Sequence, residues 1–150
     1  MEFVRLNESN VEEYIEYLEH AFSLEPDMMC AESVDKDGIR ARMKDGFYNN
    51  TTSVLAMESG KVIGRIEYHF YGCMQDGCKM AYVDWVYVLP EFRHRGVARQ
   101  LCKEFESDCK QNGIDQYYLI RAENPDADKF YHSFEKAELS RVPLLRKYLK

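Results

Sequence analysis

Residues 80–121 restrict the possible folds more than any other stretch. Met80 to Leu89 is rich in Val and aromatic residues and stops at Pro90, which reads as a buried strand. A short basic turn follows. From Gly96 to Gln111, Val97, Leu101, Phe105 and Cys109 fall in one helical row, with Ala98 and Cys102 beside it. Gly113 stands where a helix C-terminus favours positive φ, and Ile114 to Arg121 is apolar again. A strand–helix–strand unit of this length predicts two parallel strands joined by a right-handed crossover.

The preceding strands predict an antiparallel part. Thr52–Met57 and Val62–Phe70 flank Glu58-Ser59-Gly60-Lys61, a hairpin signal, and Tyr71–Gly77 forms a second turn. Phe3–Leu6 reads as a short strand. Ser9 and Glu12 fit a capping box for a helix running to about Phe22. Glu25-Pro26-Asp27 ends that helix, and a second is predicted over Lys36–Gly46. A last helix is predicted over Asp126–Lys136. Val142–Leu149 is predicted as a closing strand, at an edge or bulge because of Pro143. The order β α α β β β α β α β predicts one α/β (α+β) domain over residues 1–150, a mixed, mostly antiparallel sheet flanked by helices.

No apolar run approaches the roughly 20 residues of a membrane span, and Met1–Arg5 lacks a signal-peptide pattern. The expectation is a cytoplasmic protein without a membrane partner. Five cysteines without framework spacing predict reduced structural thiols. Cys73, Cys78 and His69 lack the usual zinc spacing, so no metal is expected. A net charge of −6 disfavours nucleic acid. That charge is uneven. Residues 1–37 hold 11 acids against Arg5 and Lys36, whereas residues 92–103 hold Arg93, Arg95, Arg99 and Lys103 and no acid.

The cationic island lies where the strand ending Val86-Tyr87-Val88-Leu89-Pro90 turns into a helix opening at Gly96. A helix N-terminus offers unpaired N–H groups and the positive dipole end, a ready anion site. Gly96 and Ala98 keep side-chain bulk away from it. The Lys-Ser/Thr of a nucleotide-triphosphate loop is missing, which disfavours ATP and GTP.

Arg93-x-x-Gly96-x-Ala98 resembles the pyrophosphate motif of the GNAT acetyltransferases, Arg/Gln-x-x-Gly-x-Gly/Ala. Asn124-Pro125-Asp126-Ala127-Asp128-Lys129-Phe130-Tyr131 resembles the family's second signature. The resemblance departs after Tyr131, where Ala137-Glu138-Leu139 replaces the usual Gly-Phe pair. It implies a GNAT fold with a splayed central parallel pair and acetyl-CoA as cosubstrate. It further implies that backbone groups of Val86 and Val88 pair with the pantetheine arm. Backbone N–H groups across Arg95, Gly96, Val97, Ala98 and Arg99 would hold the pyrophosphate, with Arg93, His94 and Arg95 in the same loop. Asn124 would bond pantetheine, or else cap the following helix. Tyr131 would protonate the leaving thiolate.

The attacking amine needs a proton acceptor. Asp84 is the first candidate, alternating with Tyr82 and Val86 so that all three share a sheet face; Glu67 is the second. The expected acceptor is the amine of a small molecule or peptide, and the resemblance also admits a homodimer. The loop acids from Glu25 to Asp37 favour cationic acceptors. Two other classes compete. A non-catalytic coenzyme A-binding domain would keep the loop but lose Tyr131 and the carboxylates. A nucleic-acid module would need a wider basic face.

Overall fold

The computed structural model describes residues 1–29 and 31–149; the thiol expectation for Cys30 lies outside the described residues. The chain forms two compact units, Met1–Leu119 and Ile120–Lys150.

In the first unit, β1 (Glu2–Arg5), α1 (Val11–Leu24), α2 (Lys36–Arg42), β2 (Thr51–Glu58), β3 (Lys61–Gly72), β4 (Lys79–Val88), α3 (Val97–Gln111) and β5 (Gln116–Leu119) follow in order. The strands make one five-stranded sheet in the order β1-β2-β3-β4-β5. The first three pairings are antiparallel, and β4 pairs parallel with β5. This is the mixed sheet that the strand–helix–strand unit and the hairpins predict.

Each helix buries one stripe. On α1 it is Val11, Tyr14, Ile15, Tyr17 and Ala21; on α3 it is Val97, Leu101, Cys102, Phe105 and Cys109, joined by Asp108. The helices take opposite faces of the sheet. Phe105 packs on Tyr68 with ring centroids 4.7 Å apart, whereas Tyr17 meets Tyr87 at 6.3 Å. Asp108 is buried but satisfied. It accepts from Tyr68 Oη at 2.6 Å, Arg5 at 2.7 Å and Asn112 Nδ2 at 3.1 Å, so it ties α3 to β1 and β3.

The predicted capping box does not form. Asn10 occupies the N-cap of α1 without a side-chain cap bond. Asn7 Oδ1 instead accepts from the Ser9 amide and hydroxyl, a local turn that outcompetes the cap.

A β-bulge breaks the expected alternation in β4. Glu67 faces Trp85 and Tyr68 faces Val83, which leaves Asp84 as the extra residue. Cross-strand partners share a face, so Val86, opposite Ile66, lies on the α3 face with Val83. Tyr82, opposite His69, lies on the other. Asp84, Tyr82 and Val86 therefore do not share one face, because one inserted residue reverses the alternation.

In the second unit, α4 (Pro125–Tyr131) ends earlier than predicted. Ser133 Oγ donates to the Phe130 carbonyl at 2.6 Å and closes the last turn. The predicted strand over Val142–Leu149 is absent; residues 142–149 have no regular structure, and Val142, Leu145 and Leu149 are exposed. An apolar run without ladder partners does not make a strand, and Pro143 removes one ladder donor.

Burial pushes the thiols of Cys102 and Cys109 up to about 12. In a Cys30→Ser protein, both should resist alkylation at pH 8 and react only in denaturant, with peptide mass spectrometry as the readout. Labelling of either thiol in the native protein would contradict the α3 packing.

Candidate active site

The register of β3 and β4 decides which backbone groups of β4 are free of β3. The Leu89 N–H donates to Ile63 C=O at 3.0 Å, which makes that pair a hydrogen-bonded one. Alternation then gives Arg65–Tyr87 as the next such pair and turns the N–H and C=O groups of Val86 and Val88 away from β3. On that side, β5 pairs only with Met80–Val83. The backbone groups of Val86 and Val88 thus lie past the end of the parallel pairing. The Val88 C=O accepts from Arg93 Nε at 3.0 Å.

After β4 the chain turns through a short 3-10 segment, Pro90–Phe92, into the N-terminus of α3. Gly96 is its N-cap, with φ 79 and no side-chain cap bond. A Cβ at Gly96 would meet nothing within 4 Å, so glycine is needed here for its backbone conformation and leaves open ground. The first bond of the α3 ladder runs from the Gln100 N–H to the Gly96 C=O at 3.0 Å. The N–H groups of Val97 and Ala98 therefore lie ahead of the ladder, at the positive end of a 15-residue helix. The Val97 side chain is buried and anchors the turn. These groups fit a diphosphate with an extended amide arm.

The loop arginines are engaged by acids of this chain. Arg95 pairs with Glu58 at 2.9 Å and lies over the Phe92 ring. Arg93 forms a bidentate pair with Glu25, whose carboxyl is held below the usual carboxylate range by that guanidinium and by Tyr87 Oη. His94 is exposed with φ 59, and Arg99 is exposed in the first turn of α3.

On the α1 face, Glu67 Oε2 accepts from Ser53 Oγ at 2.5 Å and Arg65 Nη1 at 2.8 Å. Arg65 is half-buried, with its guanidinium 5.5 and 5.6 Å from the Tyr14 and Trp85 ring centroids. His69 and Tyr82 stack beside this pair. Asp84 is exposed at the bulge. Sequence reasoning missed Arg65 and Trp85: Arg65 shares a strand face with Glu67 two residues on, a spacing present in the sequence, whereas Trp85 is brought opposite Glu67 by cross-strand register.

The acids of residues 25–37 are largely neutralised. Glu25 pairs with Arg93, Asp35 caps α2 and pairs with Arg42, and Asp37 pairs with Arg40. Of those loop acids, Asp27 and Glu32 have no ion pair among the described residues. The cation-attracting loop expected from charge counting is correspondingly reduced, because each paired acid loses most of its far field.

In the second unit, Asn124 Oδ1 accepts from the Ala127 N–H at 2.9 Å and caps α4. Of the two roles expected for Asn124, helix capping is the one whose hydrogen bond the structure shows. Tyr131 stands in the last turn of α4, its ring edge-on to Phe130 and Phe134 at 5.0 and 5.6 Å.

Known proteins share this architecture. An aminoglycoside acetyltransferase from an uncultured soil metagenomic sample superposes with a TM-score of 0.80 at 17% identity, covering 99% of this chain and 96% of its own. The aminoglycoside N-acetyltransferase AAC(6')-Iy in complex with CoA gives 0.73 at 22% identity, covering 97% and 93%. A ribosomal-protein-alanine N-acetyltransferase from Brucella melitensis biovar Abortus 2308 gives 0.75 at 16%, covering 97% and 99%. At such identities these likenesses show the fold. No curated relative matches in sequence. The sequence model of the Acetyltransferase (GNAT) family matches residues 9–135, and with the mixed sheet and the open α3 N-terminus this places the chain in that family of acetyltransferases.

Proposed function

We propose that the protein transfers an acetyl group from acetyl-CoA directly to a primary amine of a cationic small molecule or peptide. The observation that carries this reading is the pairing of the open α3 N-terminus at Gly96 with the outward backbone groups of Val86 and Val88. The first suits a diphosphate and the second an amide-bearing arm. Bound acetyl-CoA would supply an activated thioester. The N–H groups of Val97 and Ala98 hold the diphosphate, and Arg95 and Arg99 add positive charge at the loop.

The Tyr131 hydroxyl donates a proton to the departing sulfur. A phenol's reference pKa of about 10 lies near a thiol's roughly 8.5, which suits such a transfer. Asp84, exposed on the bulge two residues before Val86, takes the proton of the attacking amine directly or through water. The cationic acceptor is supported by the aminoglycoside acetyltransferases among the structural neighbours and by the exposed carboxylate of Asp84. It no longer rests on the paired acids of residues 25–37.

Three measurements test this. Gly96→Glu adds bulk and negative charge at a left-handed position and should abolish acetyl-CoA binding by calorimetry in a folded protein; unchanged affinity would remove the loop assignment. Tyr131→Phe should lower kcat about 10²–10⁴-fold, the scale of a general acid, with acetyl-CoA affinity nearly kept. A wild-type kcat would hand the proton to another donor. Asp84→Asn should lose activity most at low pH, where the amine is mostly protonated, and an unaltered pH–rate profile would transfer the role to Glu67 or a water chain.

A further inference from the structure

The hub beneath the phosphate loop has a role that the loop assignment does not cover. Glu25 follows α1 immediately. Its Oε1 accepts from Arg93 Nη1 at 3.0 Å, and its Oε2 accepts from Arg93 Nη2 and from Tyr87 Oη, the latter at 2.7 Å. Arg93 Nε donates to the Val88 C=O at 3.0 Å, and the guanidinium lies 5.3 Å from the Tyr87 ring centroid. Tyr17 Oη donates to the Tyr87 C=O at 3.0 Å, so α1 is fastened to β4 at the same point. Every nitrogen of the Arg93 side chain therefore donates within the chain. The side chain is drawn under the loop, only 33% exposed.

We propose that Glu25 is a positioning residue for the acetyl-CoA site. It holds Arg93 across the Val88 carbonyl, so that residues 90–96 are pinned to the end of β4 and the α3 N-terminus is fixed at its present distance from Val86 and Val88. Arg93 then serves as a strut, and diphosphate recognition falls to backbone N–H groups. Tyr87, through its hydroxyl, holds the second carboxylate oxygen and keeps the bidentate geometry. This proposal rests on the reading of the loop as the diphosphate site.

The two possible roles of Arg93 predict opposite signs. If Arg93 were a phosphate ligand restrained by Glu25, removing the carboxylate charge would release it and tighten binding. If Arg93 is a strut, the same change loosens the loop and weakens binding.

The test is calorimetric titration of acetyl-CoA into the wild-type protein, Glu25→Gln, Arg93→Gln, the double variant and Tyr87→Phe, with steady-state kinetics on each. Glu25→Gln should weaken acetyl-CoA binding about three- to tenfold, the scale of a partly exposed bidentate pair. KM for acetyl-CoA should rise alongside, with kcat at saturation and KM for the amine unchanged, a split that general destabilisation would not produce. The double variant should be no weaker than Arg93→Gln alone. Tyr87→Phe, which removes one hydroxyl, should shift affinity in the same direction by less. Tighter or unchanged binding in Glu25→Gln, or additive losses in the double variant, would overturn the proposal while leaving the loop assignment standing. Absence of binding to the wild-type protein would overturn both.

Discussion

The arrangement of the first unit depends on the alternation of β4. Up to Val83 the strand pairs with β3 in one register, and from Trp85 onward in a register shifted by one, with Asp84 inserted between. The side-chain period of a strand is two, so the insertion exchanges its faces. It also exchanges its edges. Without it, the backbone groups of Val86 and Val88 would be tied to β3; with it they turn outward, past the point where β5 stops pairing. A single inserted residue thereby opens a ladder edge beside the N-terminus of α3.

Around that edge the chain invests its charged side chains in holding loops. Arg93 and Arg95 each meet a carboxylate, and part of the cationic character suggested by residues 92–103 is compensated locally. In the proposed function, anion recognition falls to features that charge counting does not register, namely N–H groups ahead of a helical ladder and a left-handed glycine with open space around it. Such groups are fixed in direction and need no side-chain ordering on binding.

The α1 face has a different character. Arg65 is half-buried against two aromatic rings and joined to Glu67, which also holds Ser53. Burying an ion pair is costly unless its hydrogen bonds are satisfied. Arg65 Nε is a buried nitrogen without a partner among the described residues. Beside it His69 and Tyr82 stack, so this side of the sheet is polar and aromatic next to the bulge.

The sequence by itself determined the local elements. The helical rows of α1 and α3, the hairpin at Ser59–Gly60, the parallel unit and the glycine at the α3 N-terminus all follow from side-chain periodicity and backbone preference over a few residues, and each was legible there. The tertiary structure alone decided the rest. The bulge at Asp84 appears only when β4 is laid against β3, because an inserted residue leaves no local mark in a strand of Val and aromatic residues. Glu25 and Arg93 are 68 positions apart, so their pairing needs α1 and the loop to be brought together first. The strand expected at Val142–Leu149 failed for the same reason in reverse: apolar composition can suggest a strand, but one exists only where a neighbouring backbone completes its hydrogen bonds.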